Sequence, residues 1–196
     1  MLIYSKLATG SRSLTLNKRS GYNGVGRLSK GDHEDIMNHI EELIRFFGIN
    51  HRVIKEQLDG LTHEDSLGQP PYFGNCLNWV VGHIVASRSG ILSLLGEAPI
   101  WTDDEQAPYR RGSDPITGPD DPHLPLEQII ATLDASQEAL VTALNRVTPE
   151  KLAEEIPDRN TTVGKRVSFL AWHDSYHTGQ TEQLRQLTGV NDQIIA

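Results

Sequence analysis

Residues 163–187 read VGKRVSFLAWHDSYHTGQTEQLRQL, and this stretch decides the fold because its apolar side chains recur at helical spacing. At about 100° per residue, one side of such a helix carries an apolar stripe formed by Val163, Val167, Leu170, Leu184 and Leu187. His173 and His177 fall inside this stripe rather than at its edge. The pattern therefore predicts one long helix that turns two histidines toward the core.

The two histidines are four residues apart, which places them one turn above each other on the helix. Side chains at this spacing have Cβ atoms roughly 5–6 Å apart, so two imidazoles can bind the same metal ion. A third ligand then has to come from another helix. Histidines that are hydrogen-bonded within the core would give the same pattern, and the spacing alone leaves both interpretations open.

Three further stretches show helical periodicity, and no stretch alternates with period two over enough residues to predict a strand. They cover residues 35–58, 75–95 and 126–147. Asn75 is the expected N-cap of the second helix. Gly96 and Gly189 are expected to end the second and the last helix. Four amphipathic helices predict an all-α fold, a four-helix bundle.

Residues 97–125 connect the second and third helices and hold six of the ten prolines. A connection of this length needs a reason, and one is that parallel helices require the chain to travel back about 30 Å along the bundle. Four of its side chains could line a pocket, or they could belong to a surface loop that packs against the bundle. Connecting segments usually run over the surface, so packing is favoured. They are Trp101, Tyr109, Arg110 and Arg111.

The composition argues against several classes of protein. The net charge of −8 disfavours nucleic-acid binding, because phosphate contacts need clustered cations. No apolar run approaches the roughly 18 residues of a membrane span, so no membrane partner is expected. The single cysteine, Cys76, argues against an internal disulfide framework and fits a reducing compartment. We therefore expect a cytoplasmic protein.

The first 31 residues differ from the rest of the chain. They are basic, rich in glycine and serine, and show no sustained period, which predicts a disordered leader. Residues 1–30 carry six Lys or Arg and no acid, which leaves a net charge of −14 on residues 31–196. Met37 lies at the start of the first helical pattern, so translation could begin there. The leader would then come from an extended gene model or from a vector. Residues 32–196 are expected to form the bundle domain.

His83 is the candidate third ligand, since it lies on the flank of the apolar stripe of the second helix. Three neutral imidazoles leave the charge of a divalent ion uncompensated and at least one coordination position open, which is typical of a catalytic site. The segment from His173 to His177 also resembles the metalloprotease motif H-E-x-x-H, with Asp174 in place of glutamate. No further histidine follows His177, so a protease is disfavoured.

Two other histidines have simpler interpretations. His51 interrupts the apolar stripe of the first helix, and a hydrogen bond across the bundle is favoured over a functional role. His63 lies in the connection before the second helix, where a solvated side chain is expected.

Two segments together carry a family resemblance: NWVVGHIVASRSGIL at residues 78–92 and HDSYHTGQTEQLRQL at residues 173–187. Their combination resembles the DinB/YfiT-like family of metal-dependent proteins over roughly residues 35–189. The resemblance implies a four-helix bundle with up-down-down-up topology and a long crossover between helices 2 and 3. It also implies His83, His173 and His177 as ligands of nickel or zinc.

The resemblance is less specific about activity, because related members include bacillithiol S-transferases and a mycothiol-dependent maleylpyruvate isomerase. It implies a metal-dependent enzyme that transfers a low-molecular-weight thiol to a small electrophile. A hydrolase that uses metal-bound hydroxide and a non-catalytic stress-response module are the alternatives. Asp174 and Gln180 are candidate catalytic or supporting residues, whereas Tyr176 is expected to pack. A homodimer is a further expectation.

Overall fold

The computed structural model describes residues 30–157 and 159–190. The predicted leader, residues 1–31, lies outside the described residues except for Lys30 and Gly31, which open the first helix. Within the described ranges, none of the helices combines the length and apolar character that a membrane crossing needs.

Four long helices build the described part of the chain, and short elements connect them. The elements in chain order are α1 Lys30–Leu58, α2 His63–Ser66, α3 Leu77–Leu95, α4 Asp103–Gln106, a 3-10 turn Ala107–Tyr109, α5 Leu126–Arg146, α6 Pro149–Ala153, β1 Glu155–Ile156, β2 Thr161–Thr162 and α7 Val163–Leu187. The predicted all-α class is confirmed. The two strands, which pair antiparallel, were not predicted because two residues are too few to show a period.

The helix boundaries follow local signals. α3 ends where Gly96 adopts the left-handed conformation with φ 90°, as predicted. Its N-cap is Cys76 rather than Asn75, so that prediction was wrong by one residue. α7 begins where the Thr162 side chain accepts a hydrogen bond from the backbone N–H of Lys165. α1 begins at Lys30, five residues before the predicted start.

The four long helices pack so that α1 and α3 each contact both α5 and α7. Contacts of α3 advance in one direction, from Asn78 with the carbonyl of Leu124, two residues before α5, to Arg88 with Ser136 of α5. Helices with this contact order run in the same direction, which explains the long crossover between them. The up-down-down-up order of the whole bundle stays a prediction.

The apolar stripe of α7 is buried as predicted except at its end, where Leu187 is 45% exposed. Arg185 takes the buried position instead, and its guanidinium donates to the carbonyls of Gln57 and Asp59 at the end of α1. These carbonyls are among those that a helix leaves without an internal partner, so a buried cation stabilises them. The stripe therefore stops short of Leu187.

The crossover packs into the bundle rather than lying over it, because Trp101 and Tyr109 are both buried. The Tyr109 hydroxyl donates to Asn78 Oδ1 at 3.0 Å and accepts from the backbone N–H of Leu124 at 2.7 Å. These two bonds fix the ring against Gly82 of α3. The close approach requires a residue without a side chain at position 82.

Gly82→Ala is expected to lower the free energy of unfolding by about 1–3 kcal/mol, the usual cost of overpacking a core. A β-carbon at this position would lie 2.3 Å from two ring carbons of Tyr109. Gly90→Ala is the matched control on the same helix, since no atom lies within 4 Å of its added carbon. That variant should gain up to about 1 kcal/mol from helix propensity. Urea denaturation of both variants tests the prediction, which fails if they behave alike.

Candidate metal centre

Two helices bring three histidines together. His173 and His177 lie one turn apart on α7, and His83 reaches them from α3. The Nε2 atom of His173 is 3.1 Å from that of His177 and 3.3 Å from that of His83. The candidate ligand atoms all lie within 4.8 Å of one another, so this group could hold a metal ion.

The spacing of the nitrogens fits a small divalent ion. Ligand nitrogens at about 2.0–2.1 Å from a tetrahedral centre are roughly 3.3–3.4 Å apart. The two nearest nitrogen pairs of the histidine group, at 3.1 and 3.3 Å, are close to this separation. At these two pairs, the separation already suits ligands of one ion.

The other ring nitrogens show how two of the histidines are oriented. His83 Nδ1 donates to the backbone carbonyl of Tyr109 at 2.6 Å, and His177 Nδ1 donates to Gln180 Oε1 at 2.7 Å. Each bond fixes the proton on Nδ1 and leaves a lone pair on Nε2. Two lone pairs therefore face the same small space beside His173, where a cation would stabilise them.

His173 is the least constrained of the three. Its Nδ1 is buried and has no hydrogen-bond partner among the described residues. Its Nε2 can donate to only one of the two facing lone pairs, so hydrogen bonds alone do not satisfy the group. Incomplete pairing of the facing Nε2 atoms fits a site built around an ion, because an ion could accept the lone pairs of all three rings.

All three imidazoles are held in their neutral form. Burial lowers the pKa of His83 and of His173, because it disfavours the charged ring. Burial, with the nearby His83, lowers the pKa of His177 to about 4. Neutral rings at pH 7 are the form that binds metal ions.

Two cavities adjoin the histidines. The larger has a volume of about 550 Å³, and its wall is formed by Phe73, Gly74, Asn75, Trp79, His83, Arg111, Gly112, Ser113, Pro115, His173 and His177. The smaller, of about 240 Å³, shares His177 and Trp79 with it and extends to Gln180. Any ligand in either cavity would therefore lie beside the histidine group.

The structure gives the remaining predicted residues different surroundings. Asp174 lies next to His173 in sequence, but its carboxylate is buried and bonded to Arg88 at 2.8 and 3.2 Å. Gln180 contacts the site through His177. Tyr176 is exposed, and its ring lies edge-on to His177 with centroids 5.1 Å apart.

The two other histidines lie outside this group. His51 bonds to Asp134 across the bundle at 2.8 Å, which confirms its structural interpretation. The solvated position expected for His63 was wrong. This ring is partly buried because the crossover folds over it, with His123 Nε2 at 3.1 Å and the N–H of Leu126 at 3.2 Å.

Sequence reasoning found Gln180 but missed three other groups that support the site. The Tyr109 carbonyl orients His83, but a backbone acceptor leaves no signal in a sequence. Arg88 is wholly buried, and its signal was a lone charge within the otherwise uncharged stretch NWVVGHIVASRSGIL. Trp79 stacks on His83 with ring centroids 4.6 Å apart, and its signal was the spacing of four on α3.

Gln180→Ala is expected to weaken zinc or nickel binding about 10–100-fold, the usual effect of removing the partner of a ligating histidine. Without Oε1 as acceptor, the His177 ring loses the bond that orients it. Gln186→Ala is the matched control, because its side chain is exposed on the same helix and outside both cavities. Competitive titration against a metal chelator measures both affinities. Equal affinities would contradict the role given to Gln180.

Comparison with known proteins agrees with this geometry. A family model described as the DinB superfamily matches residues 49–181, well over half of the chain, and the matched range contains all three histidines. No curated protein is similar enough to count as a match. With an all-α bundle and a histidine group that could hold a metal ion, the chain belongs to the DinB superfamily.

Proposed function

We propose that this protein is a metal-dependent enzyme that transfers a low-molecular-weight thiol to a small electrophile. The observation that carries the proposal is the convergence of three neutral imidazole nitrogens, 3.1 and 3.3 Å apart, on the wall of a cavity of about 550 Å³. A divalent ion held there would keep an open position and lower the pKa of a thiol or water that occupies it. The ion would be zinc or nickel.

The residues around the cavity support a thiol better than water as the nucleophile. A metal-dependent hydrolase usually places a carboxylate as general base beside its water, as the glutamate of H-E-x-x-H does. None of the residues that line the larger cavity is Asp or Glu. Asp174, the acid that follows His173 in the sequence, already accepts two hydrogen bonds from Arg88. A thiol has a pKa of about 8.5 and ionises without such a base more readily than water does.

The two adjoining cavities also support a reaction between two small molecules. The cavities of about 550 and 240 Å³ meet at His177 and Trp79, so two ligands could lie on either side of these side chains. In the transfer, the thiolate sulfur forms a bond to the electrophilic carbon while the leaving group departs with its electron pair. The thiol proton passes to solvent.

In this proposal the chain positions the reactants rather than reacting with them. Gln180 and the Tyr109 carbonyl orient two of the rings. Asp174 acts as a positioning residue, because its pairing with Arg88 fixes the rotation of α7 beside His173. Trp79 and Pro115 provide an apolar wall that limits access of water.

The test is turnover of 1-chloro-2,4-dinitrobenzene by protein loaded with zinc or nickel, with cysteine, glutathione, bacillithiol and mycothiol as thiols. Thiol-dependent release of chloride that His177→Ala lacks supports the proposal. Hydrolysis of ester or amide substrates without thiol assigns a hydrolase instead. Tight metal binding with no turnover of either kind assigns a metal-binding module. A sedimentation measurement of the same sample tests whether the protein is a homodimer.

A further inference from the structure

Arg111 differs from every other residue that lines the larger cavity, because it alone among them is an arginine, lysine, aspartate or glutamate, and an arginine side chain is always charged at neutral pH. Its guanidinium has no hydrogen bond or ion pair within the described part of the chain. The adjacent Arg110 is bonded to the carboxylate of Asp103 at 2.5 Å. The two neighbouring arginines thus have different roles, one bound to the protein and one available to a ligand.

The local charge of the cavity is opposite to that of the whole chain. The chain carries a net charge of −8, which by itself favours neutral or cationic ligands. The cavity wall, however, contains one arginine and no carboxylate. Within a cavity, the nearest charges decide which ligand binds, because more distant ones are screened.

The rest of the wall suits an organic ligand. Trp79, Phe73 and Pro115 supply apolar surface beside the arginine. Trp79 is fixed by the bond from its Nε1 to Ser113 Oγ at 3.1 Å, and Ser113 in turn donates to the Pro108 carbonyl at 2.7 Å. A volume of about 550 Å³ lies within the usual range for small-molecule sites, roughly 300–1,000 Å³.

We propose that the larger cavity binds a small organic carboxylate, with the carboxylate paired to Arg111 and the apolar part of the molecule against Trp79. A guanidinium can hold both oxygens of a carboxylate, which gives orientation as well as affinity. The inference rests on the proposed function for the role of this molecule as a substrate. The binding itself does not require turnover.

The test compares three ligands of one shape and different charge by isothermal titration: benzoate, benzamide and benzamidine. Benzoate should bind most tightly. Arg111→Gln should weaken benzoate about five- to tenfold and leave benzamide unchanged, as expected for loss of a charged hydrogen bond. Arg111→Lys should restore part of the affinity. Arg110→Gln is the matched control and should bind benzoate like the unchanged protein.

The titrations are done with zinc-loaded and with metal-free protein, because an ion could attract benzoate by itself. A loss in Arg111→Gln that persists without metal supports the inference. Benzoate that binds no better than benzamide, an equal loss in Arg110→Gln, or a loss seen only with metal present would each overturn it. The outcome is independent of thiol transfer, so a failed turnover assay leaves the binding result intact.

A second series identifies which reactant carries the carboxylate. It compares 3-mercaptopropionate with 2-mercaptoethanol, two thiols of which only the first is a carboxylate. If Arg111→Gln weakens 3-mercaptopropionate alone, the arginine binds the carboxylate of the thiol. If it weakens benzoate but neither thiol, the arginine binds the carboxylate of the electrophile. Both results support a carboxylate site, and an unchanged affinity for every carboxylate overturns it.

Discussion

His177→Ala is expected to weaken binding of zinc or nickel by more than about 100-fold, so that the purified variant carries almost no divalent metal. Even loss of a supporting partner commonly weakens a metal site about 10–100-fold, and loss of a ligand should exceed that. His177 is 8% exposed, and its Nε2 lies 3.1 Å from that of His173, so no solvent-exposed group can easily replace it. Elemental analysis of protein made without a polyhistidine tag measures the effect.

The control for this variant is His39→Ala, since His39 is an exposed histidine of α1 outside the histidine group. His39→Ala should keep its metal, whereas His83→Ala and His173→Ala should lose it like His177→Ala. Circular dichroism shows whether each variant keeps its helical fold. Metal that remains bound at full stoichiometry in all three site variants would show that the ion binds elsewhere or that these residues are only core histidines.

The second large effect is expected for the ion pair between Arg88 and Asp174. Both side chains are almost wholly buried, 0% and 1% exposed, and the two partners make bonds of 2.8 and 3.2 Å. Asp174→Asn leaves the guanidinium charged and unpaired in the core, which should lower the free energy of unfolding by about 3–5 kcal/mol. A typical domain has only about 5–15 kcal/mol of stability, so this loss is a large fraction of the total.

A double-mutant cycle separates the interaction free energy of the ion pair from the effect of removing each side chain alone. Arg88→Met with Asp174→Leu removes both charges and should cost less than either single change, since no buried charge is then left unpaired. The control is Arg52→Met, which removes the exposed ion pair between Arg52 and Glu56, 3.7 Å apart on α1. It should lower the free energy of unfolding by less than about 1 kcal/mol. Chemical denaturation measures Asp174→Asn, Arg88→Met, Asp174→Leu, the double variant and Arg52→Met. Similar costs for Asp174→Asn and Arg52→Met would contradict the prediction.

Arg88 shows why a buried charge can be difficult to interpret from sequence. It extends from α3 to Asp174 on α7 and lies over the ring of Phe47 on α1, with centroid distance 5.7 Å. It also donates to Ser136 and Gln137 of α5 at 3.4 Å. These partners are at least 41 positions away along the chain. A helical period identifies the helix on which the arginine lies, but it does not identify partners on other helices.

The candidate site shows a similar division. The spacing of four between His173 and His177 follows from helix geometry, so the sequence predicts that these two rings are neighbours. The place of His83 beside them depends on how α3 packs on α7. Its candidacy rested on its position at the flank of the apolar stripe and on family resemblance. For Arg111 the sequence favoured loop packing over a place in a pocket wall, because its place in the cavity depends on how the crossover folds back.

By itself, the sequence determined the elements that depend on local interactions. Helical periodicity predicted the four long helices, and Gly96 predicted where α3 ends. The spacing of four residues predicted that His173 and His177 are neighbours. These features are local because each hydrogen bond of a helix joins residues four apart. Tertiary structure alone decided which helices are neighbours, that the Tyr109 carbonyl orients His83, and that Arg111 opens onto the same cavity. Those contacts join residues far apart in the chain, and the packing of the whole core selects them.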